Sequence, residues 1–99
     1  MATQALNDSE IEAALGDLTG WEREGNALVR TYKFETYLAG VAFASAAGVV
    51  CEGLDHHPDM LIGWKKVSMR FTTHDAGHKI SAKDIAAAKA VDALGYPKK

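Results

Sequence analysis

From Asn7 to Leu18 the apolar residues Ile11, Leu15 and Leu18 recur at helical spacing. The stretch opens on "NDSE", where Asn7 can accept the Glu10 amide and Glu10 can reach back, the two halves of a capping box. This predicts a short amphipathic helix, weakened at Gly16 and closed by Gly20. The period then drops to two. Leu28, Arg30, Tyr32 and Phe34 alternate with Val29, Thr31 and Lys33, and "EGN" supplies a turn, so "WEREGNALVRTYKF" predicts a β-hairpin. Helical spacing returns after Thr36, a suitable N-cap. The helix expected from about Tyr37 to Gly53 carries Ala39, Ala42, Phe43, Ala46, Val49 and Val50 as its apolar side. Its alanines favour helix, and their small size lets it lie close to a sheet.

Beyond Pro58, "MLIGW" and "KVSMRFTTH" are β-rich and predict a second hairpin. Val67, Met69 and Phe71 fall on one face; Ser68, Arg70 and Thr72 fall on the other, and His74 ends the strand. A second capping box, Ser81 to Asp84, opens a last helix with Ile85, Ala88, Val91 and Leu94 on one side, stopped by Gly95 and Pro97. The order α-β-β-α-β-β-α implies one α+β domain over residues 1–99. Its architecture is a two-layer sandwich, a four-stranded antiparallel sheet with three helices on one face. The opposite face is left to solvent or a partner, with Tyr32 and Trp64 as candidate oligomer contacts.

Composition narrows the classes of function. With 99 residues, 47% hydrophobic and 24% charged, the chain has room for one modest core. A net charge of -2 offers no basic footprint for nucleic acid, and the pairs Lys65-Lys66 and Lys98-Lys99 read as solvated surface. The single cysteine, Cys51, excludes an internal disulfide and suits a reducing compartment. "MATQALNDSE" lacks the regions of a signal peptide. The fourteen residues "LAGVAFASAAGVVC" fall short of the roughly 20 needed to span a bilayer. The expectation is a cytoplasmic soluble domain with no membrane contact.

Chemistry concentrates in one window. All four histidines, His56, His57, His74 and His78, lie within 23 residues, and the first 55 residues hold none. Imidazoles titrate near neutrality, so such a cluster can both give and accept protons. His56 and His57 fall just past the end of the second helix, where Pro58 holds His57 in extended backbone. His78 reads as a solvated loop residue. Zinc is disfavoured, although Cys51, Asp55, His56, His57 and His74 could nominally supply ligands. Adjacent histidines in extended backbone point to opposite sides, and Gly77 spoils the helix that the spacing of "HDAGH" would need. No phosphate loop is present. Cys51 reads as a buried helix-face thiol, and Lys89 and Asp92 as ordinary solvated charges. Asp84 is the exception, able to cap the last helix while facing a histidine.

"CEGLDHHPDMLIGWKKVSMRFTTHDAGHKISAKDIAAAKAVD" resembles the pterin-4a-carbinolamine dehydratases. The resemblance is carried by Glu52, His56-His57-Pro58, Trp64-Lys65-Lys66-Val67, Thr73-His74 and Asp84, and more loosely by "EIEAALGDLTGW" and "VRTYKFETY". It implies dehydration of 4a-hydroxytetrahydropterin to quinonoid dihydropterin, without metal or other cofactor, in recycling after an aromatic amino acid hydroxylase. By the same likeness His56 and His74 form the acid/base pair, and His57 holds the pterin and shares proton transfer. Glu52 and Asp84 orient imidazoles, and Asp55, Thr72, Thr73 and Asp75 line the pocket with the histidines. A homodimer or homotetramer is implied. Two departures stand out. Met60 replaces an aromatic common in animal members, and "HDAGHKIS" is one residue longer than the usual spacing, carrying His78 and Lys79 in place of a glycine-rich turn. The competing readings are an interaction module, since animal members also bind a homeodomain transcription factor, and action on another pterin such as a molybdopterin-related compound.

Overall fold

Two capping boxes and two tight turns punctuate the chain. A computed structural model describes residues 3–96; the predicted stop at Pro97 and the Lys98-Lys99 pair lie outside the described residues. The elements follow in the expected order: α1 (Asp8–Leu15), β1 (Glu22–Glu24), β2 (Ala27–Lys33), α2 (Tyr37–Gly53), β3 (Asp59–Gly63), β4 (Lys66–Phe71) and α3 (Ala82–Asp92), with a 3-10 turn at His74–Ala76. At α1 the Glu10 amide donates to Asn7 Oδ1 at 2.8 Å, and the Asn7 amide to Glu10 Oε1 at 2.9 Å. The helix is shorter than its apolar spacing suggests: it ends at Leu15, and Leu18 is buried from the turn beyond.

The four strands form one antiparallel sheet in the order β1-β2-β4-β3. Each hairpin turns on two residues, Gly25-Asn26 and Trp64-Lys65. Gly25 and Lys65 both take left-handed backbone, at φ 61° and 58°. The central strands β2 and β4 are not consecutive in sequence, so α2 must cross the sheet between them and deliver the chain to the β3 edge. Leu28, Tyr32, Val67, Met69 and Phe71 point into the core, where they meet Ile11, Phe43, Ala47, Cys51, Ala88 and Val91. Among the described residues no helix is long and apolar enough to cross a membrane.

Several side chains do not lie where the periodicity puts them. The buried stripe of α2 is Gly40, Phe43, Ala44, Ala47 and Cys51. Of the expected face only Phe43 is fully buried: Ala39 and Val50 are half-buried, and Ala42, Ala46 and Val49 are exposed. The helix is apolar nearly all round, so hydrophobicity cannot set its phase. Close approach does. A β-carbon on Gly40 would sit 3.3 Å from Phe34 Cδ2, so the face that touches the sheet is the one with the smallest residues. In α3 the buried line runs through Asp84, Ala87, Ala88 and Val91; Ile85 is half-buried, and Leu94, past the end of the helix, is 36% exposed.

Two polar expectations are also overturned. Tyr32 is buried and so is no oligomer contact, whereas Trp64 is 73% exposed. Asp92 is not an ordinary solvated charge. It accepts from Trp21 Nε1 at 2.9 Å, from Arg30 Nη1 at 3.1 Å and from the Tyr32 hydroxyl. An arginine and a tyrosine on the inward face of β2 need a polar partner once helices cover them, and α3 supplies it.

Candidate active site

The loop after α2 is built by a Schellman-type ending. Asp55 takes left-handed backbone at φ 52°, its amide donates to Glu52 O, and the His56 amide donates to Cys51 O, both at 3.1 Å. This reversal turns the chain off the helix so that His56 and His57 leave in succession before Pro58. The other wall begins where β4 ends. The strand stops at Phe71, three residues before His74, not at it. The Thr73 amide bonds to Lys79 O at 3.0 Å, which draws the chain off the sheet and into the 3-10 turn that His74 opens.

A cavity of about 320 Å³ lies between these segments, lined by Asp55, His56, His57, Thr72, Thr73, His74, Asp75 and Lys83. All seven residues expected to line the pocket are therefore gathered in one place. Lys83 is the addition. It precedes Asp84 in the first turn of α3, and nothing in its sequence setting distinguishes it from a solvated helix lysine. Glu52 and Asp84 are not on the cavity wall. They stand behind two of its histidines. His57 Nε2 is 2.7 Å from Glu52 Oε1 in an exposed pair, while His56 Nε2 is 2.6 Å from Oδ1 of Asp84, which is wholly buried.

Asp84 is the centre of a satisfied network. Its Oδ2 accepts from the Thr73 hydroxyl at 2.8 Å and from the Ser81 amide at 2.9 Å, the second contact being its half of the capping box. Thr73 Oγ1 is 2.6 Å from Ser81 Oγ, which accepts the Lys83 amide at 3.1 Å. With the Thr73 hydroxyl given to Asp84, the Ser81 hydroxyl must donate to Thr73, and the donor chain closes. The remaining Oδ1 faces His56, so His56 presents Nε2–H to the carboxylate and keeps Nδ1 for a ligand. Phe71 lies parallel to the His56 ring at 6.0 Å between centroids, which limits its tilt.

At the rim, Asp75 Oδ2 accepts from Thr3 Oγ1 at 3.0 Å and lies 3.7 Å from Lys83 Nζ. The Thr3 hydroxyl first, and the Lys83 ammonium after it, hold the Asp75 carboxyl below the usual carboxylate range. Cys51 is on the buried face of α2, and burial pushes its thiol above the ordinary value, the opposite of what a nucleophile needs. Met60 sits on β3 opposite Met69 and does not line the cavity. Among the described residues no three metal-ligating side chains converge. A larger groove of about 1240 Å³ shares none of these lining residues. Its Arg30, Tyr32 and Asp92 side chains satisfy one another, and no histidine lines it.

The sequence profile of the family described as Pterin 4 alpha carbinolamine dehydratase matches residues 4–94. The chain belongs to this family. A protein of Natronomonas pharaonis named "Putative pterin-4-alpha-carbinolamine dehydratase" is 53% identical over 89 residues, which are 90% of this chain and 94% of that one. A protein of the same name from Roseiflexus sp. is 43% identical over 94 residues, 95% of this chain and 99% of that one. Among solved structures, a transcriptional coactivator/pterin dehydratase from Brucella melitensis matches with a TM-score of 0.85 and 29% identity, covering 92% of this chain and 98% of the other. A pterin dehydratase-like protein described as a RuBisCO assembly factor in the alpha-carboxysome matches with a TM-score of 0.60 and 22% identity, over 77% and 87% of the two chains. That second likeness is one of fold alone. The span matched to the pterin carbinolamine dehydratase family takes in every element from α1 to α3.

Proposed function

We propose that this protein dehydrates a 4a-hydroxytetrahydropterin to the quinonoid dihydropterin, by histidine acid/base catalysis. One observation carries the reading: His56, His57 and His74 share a cavity of about 320 Å³, and a carboxylate backs each of the first two. That volume lies at the small end of ligand pockets, on the scale of a bicyclic ring. In the reaction an imidazolium protonates the 4a-hydroxyl, the C4a–O bond breaks, and its electron pair leaves with water. A neutral imidazole takes the N5 proton, and the N–H electrons become the C4a=N5 double bond. Each transfer is worth typically ~10²–10⁴-fold when the group is held in place.

His56 and His74 form the acid/base pair, and His57 holds the pterin and shares proton transfer. Asp84 keeps Nδ1 of His56 as its working nitrogen and stabilises the ring when it is cationic. Asp55, Thr72, Thr73 and Asp75 present polar groups to the edges of the pterin. The supplier of the substrate is an aromatic amino acid hydroxylase, and the setting is the cytoplasm. The test is quinonoid formation from freshly generated 4a-hydroxytetrahydropterin, followed by absorbance, with His56→Ala and His74→Ala checked for intact folding. Wild type should accelerate the spontaneous reaction, and each variant should lose about 10²-fold or more. No acceleration by well-folded wild type would remove this substrate.

A second reading, as an interaction module, is favoured by one observation: Leu38, Val49, Leu61 and Trp64 are each about 70% exposed. We assign that surface to a second copy of this chain, in a homodimer or homotetramer. The edge strand β3 begins at Asp59, and Lys65 lies in the turn after its last residue, Gly63. A twofold antiparallel pairing about Ile62 would set Asp59 of each copy opposite Lys65 of the other. Such a self-complementary edge suits identical chains.

A further inference from the structure

His56 is held by Asp84 and His57 by Glu52, but His74 has no carboxylate within salt-bridge distance among the described residues. Its neighbour Asp75 is turned toward Thr3 and Lys83 instead. What His74 has is His78: the two rings lie 4.8 Å apart between centroids, inclined at 46°. We propose that His78 is the positioning residue for His74, fixing the direction of its ring as the carboxylates do for the other two histidines. This rests on the reading of His74 as half of the acid/base pair.

The loop is shaped to make that contact. The Gly77 and His78 amides both donate to His74 O, at 3.1 and 3.3 Å, so the chain coils back over the residue it left. Thr73 and Lys79 pair as an isolated antiparallel bridge, which closes the loop at its base. His78 itself sits at φ 60°, directly after Gly77 at φ 75°. Left-handed backbone is uncommon outside glycine, and histidine, with asparagine and aspartate, is among the side chains that adopt it most often. A glycine would still suit the position better, and the histidine held there places its ring against that of His74. The extra residue in "HDAGHKIS" thus brings a second ring to the cavity rim, outside the cavity wall itself. Ring-to-ring contact restricts the side-chain rotation of an exposed histidine that has no side-chain hydrogen-bond partner among the described residues.

The test compares wild type with His78→Gly, which relieves the backbone, and His78→Phe, which keeps a ring but cannot titrate. Two readouts are taken: kcat and KM for 4a-hydroxytetrahydropterin, and the His74 imidazole resonances by NMR. Positioning predicts that His78→Gly melts no lower than wild type yet loses about 3- to 10-fold in kcat with KM nearly unchanged. Its His74 signals should shift and show rotamer averaging. His78→Phe should recover most of the kcat and keep the His74 ring in one rotamer. Wild-type kcat in His78→Gly, or a kcat loss with unchanged His74 signals, would overturn the proposal. If wild type lacked turnover while His78→Gly still freed the His74 ring, the placement would stand and the dehydratase reading would fall.

Discussion

Asp92 and Asp84 are two acidic residues eight apart on one helix, and the sequence distinguishes them only in part. Asp84 is legible because it stands three residues after Ser81 in a capping box, and the family resemblance adds its histidine. Asp92 carries no such mark. Its partners Trp21, Arg30 and Tyr32 lie 60 to 71 residues away, a distance no local pattern spans. Lys83 escapes for the same reason, being brought to the cavity by the packing of α3. The Tyr32–Asp92 contact has a measurable consequence. Burial first, and then the Asp92 carboxylate, push the Tyr32 phenol well above its ordinary value of 10.0. A group whose value rises on folding stabilises fully below its unfolded value, and that stability is lost as pH climbs toward the folded one. Melting temperature should therefore fall above about pH 10 in wild type. Tyr32→Phe should flatten that decline, at a loss near neutrality of about 1 kcal/mol for the missing hydrogen bond. An equally steep alkaline decline in the variant would show that Tyr32 is not its source.

At the scale of elements, the order and both capping boxes were legible because they rest on local chemistry. The phase of α2 was not, since a helix apolar on nearly every side is oriented by what it packs against. The end of β4 is hidden from the sequence for a related reason: a tertiary bond from Thr73 to Lys79 stops the strand, and the alternation of "KVSMRFTTH" runs on past it. The turn after α2 offers a clean test of element against site. Asp55 holds the left-handed position that glycine fills most comfortably, yet its side chain also lines the cavity. Asp55→Gly should stabilise by about 0.5–1 kcal/mol, raising the melting temperature by roughly 2–8 °C in a domain of this size. Dehydration should slow in the same variant, mainly through KM. A lower melting temperature would mean that the Asp55 side chain, not its backbone, holds the turn.

For the whole molecule, the sheet-and-helix sandwich followed from the order of elements, whereas the surface it leaves uncovered could be seen only once the chain was folded. Sequence alternation offered Tyr32 as a contact; the fold buries it and exposes β3 on both faces, together with Leu38 and Val49 of α2. If a second copy covers this surface, Leu61→Lys and Val49→Lys should each lower the assembly toward monomer mass in light scattering. Far-ultraviolet circular dichroism should stay unchanged. Wild type that runs as a monomer at all concentrations would return this surface to the interaction reading. His74 lies in the β4–α3 connection, on neither of the substituted elements β3 and α2, so dissociation should leave its chemistry in place.

The carboxylate of Asp84 does two jobs at once: one oxygen closes the first turn of α3 and the other grips His56. Variation at this position therefore cannot trade folding against turnover, as it can at Asp55 or His78. A screen scored on activity alone would class Asp84 as catalytic, and one scored on protein abundance would class it as structural. Each would be half right, and a lineage of this chain can change the residue only by rebuilding the helix start and the hold on His56 in the same step.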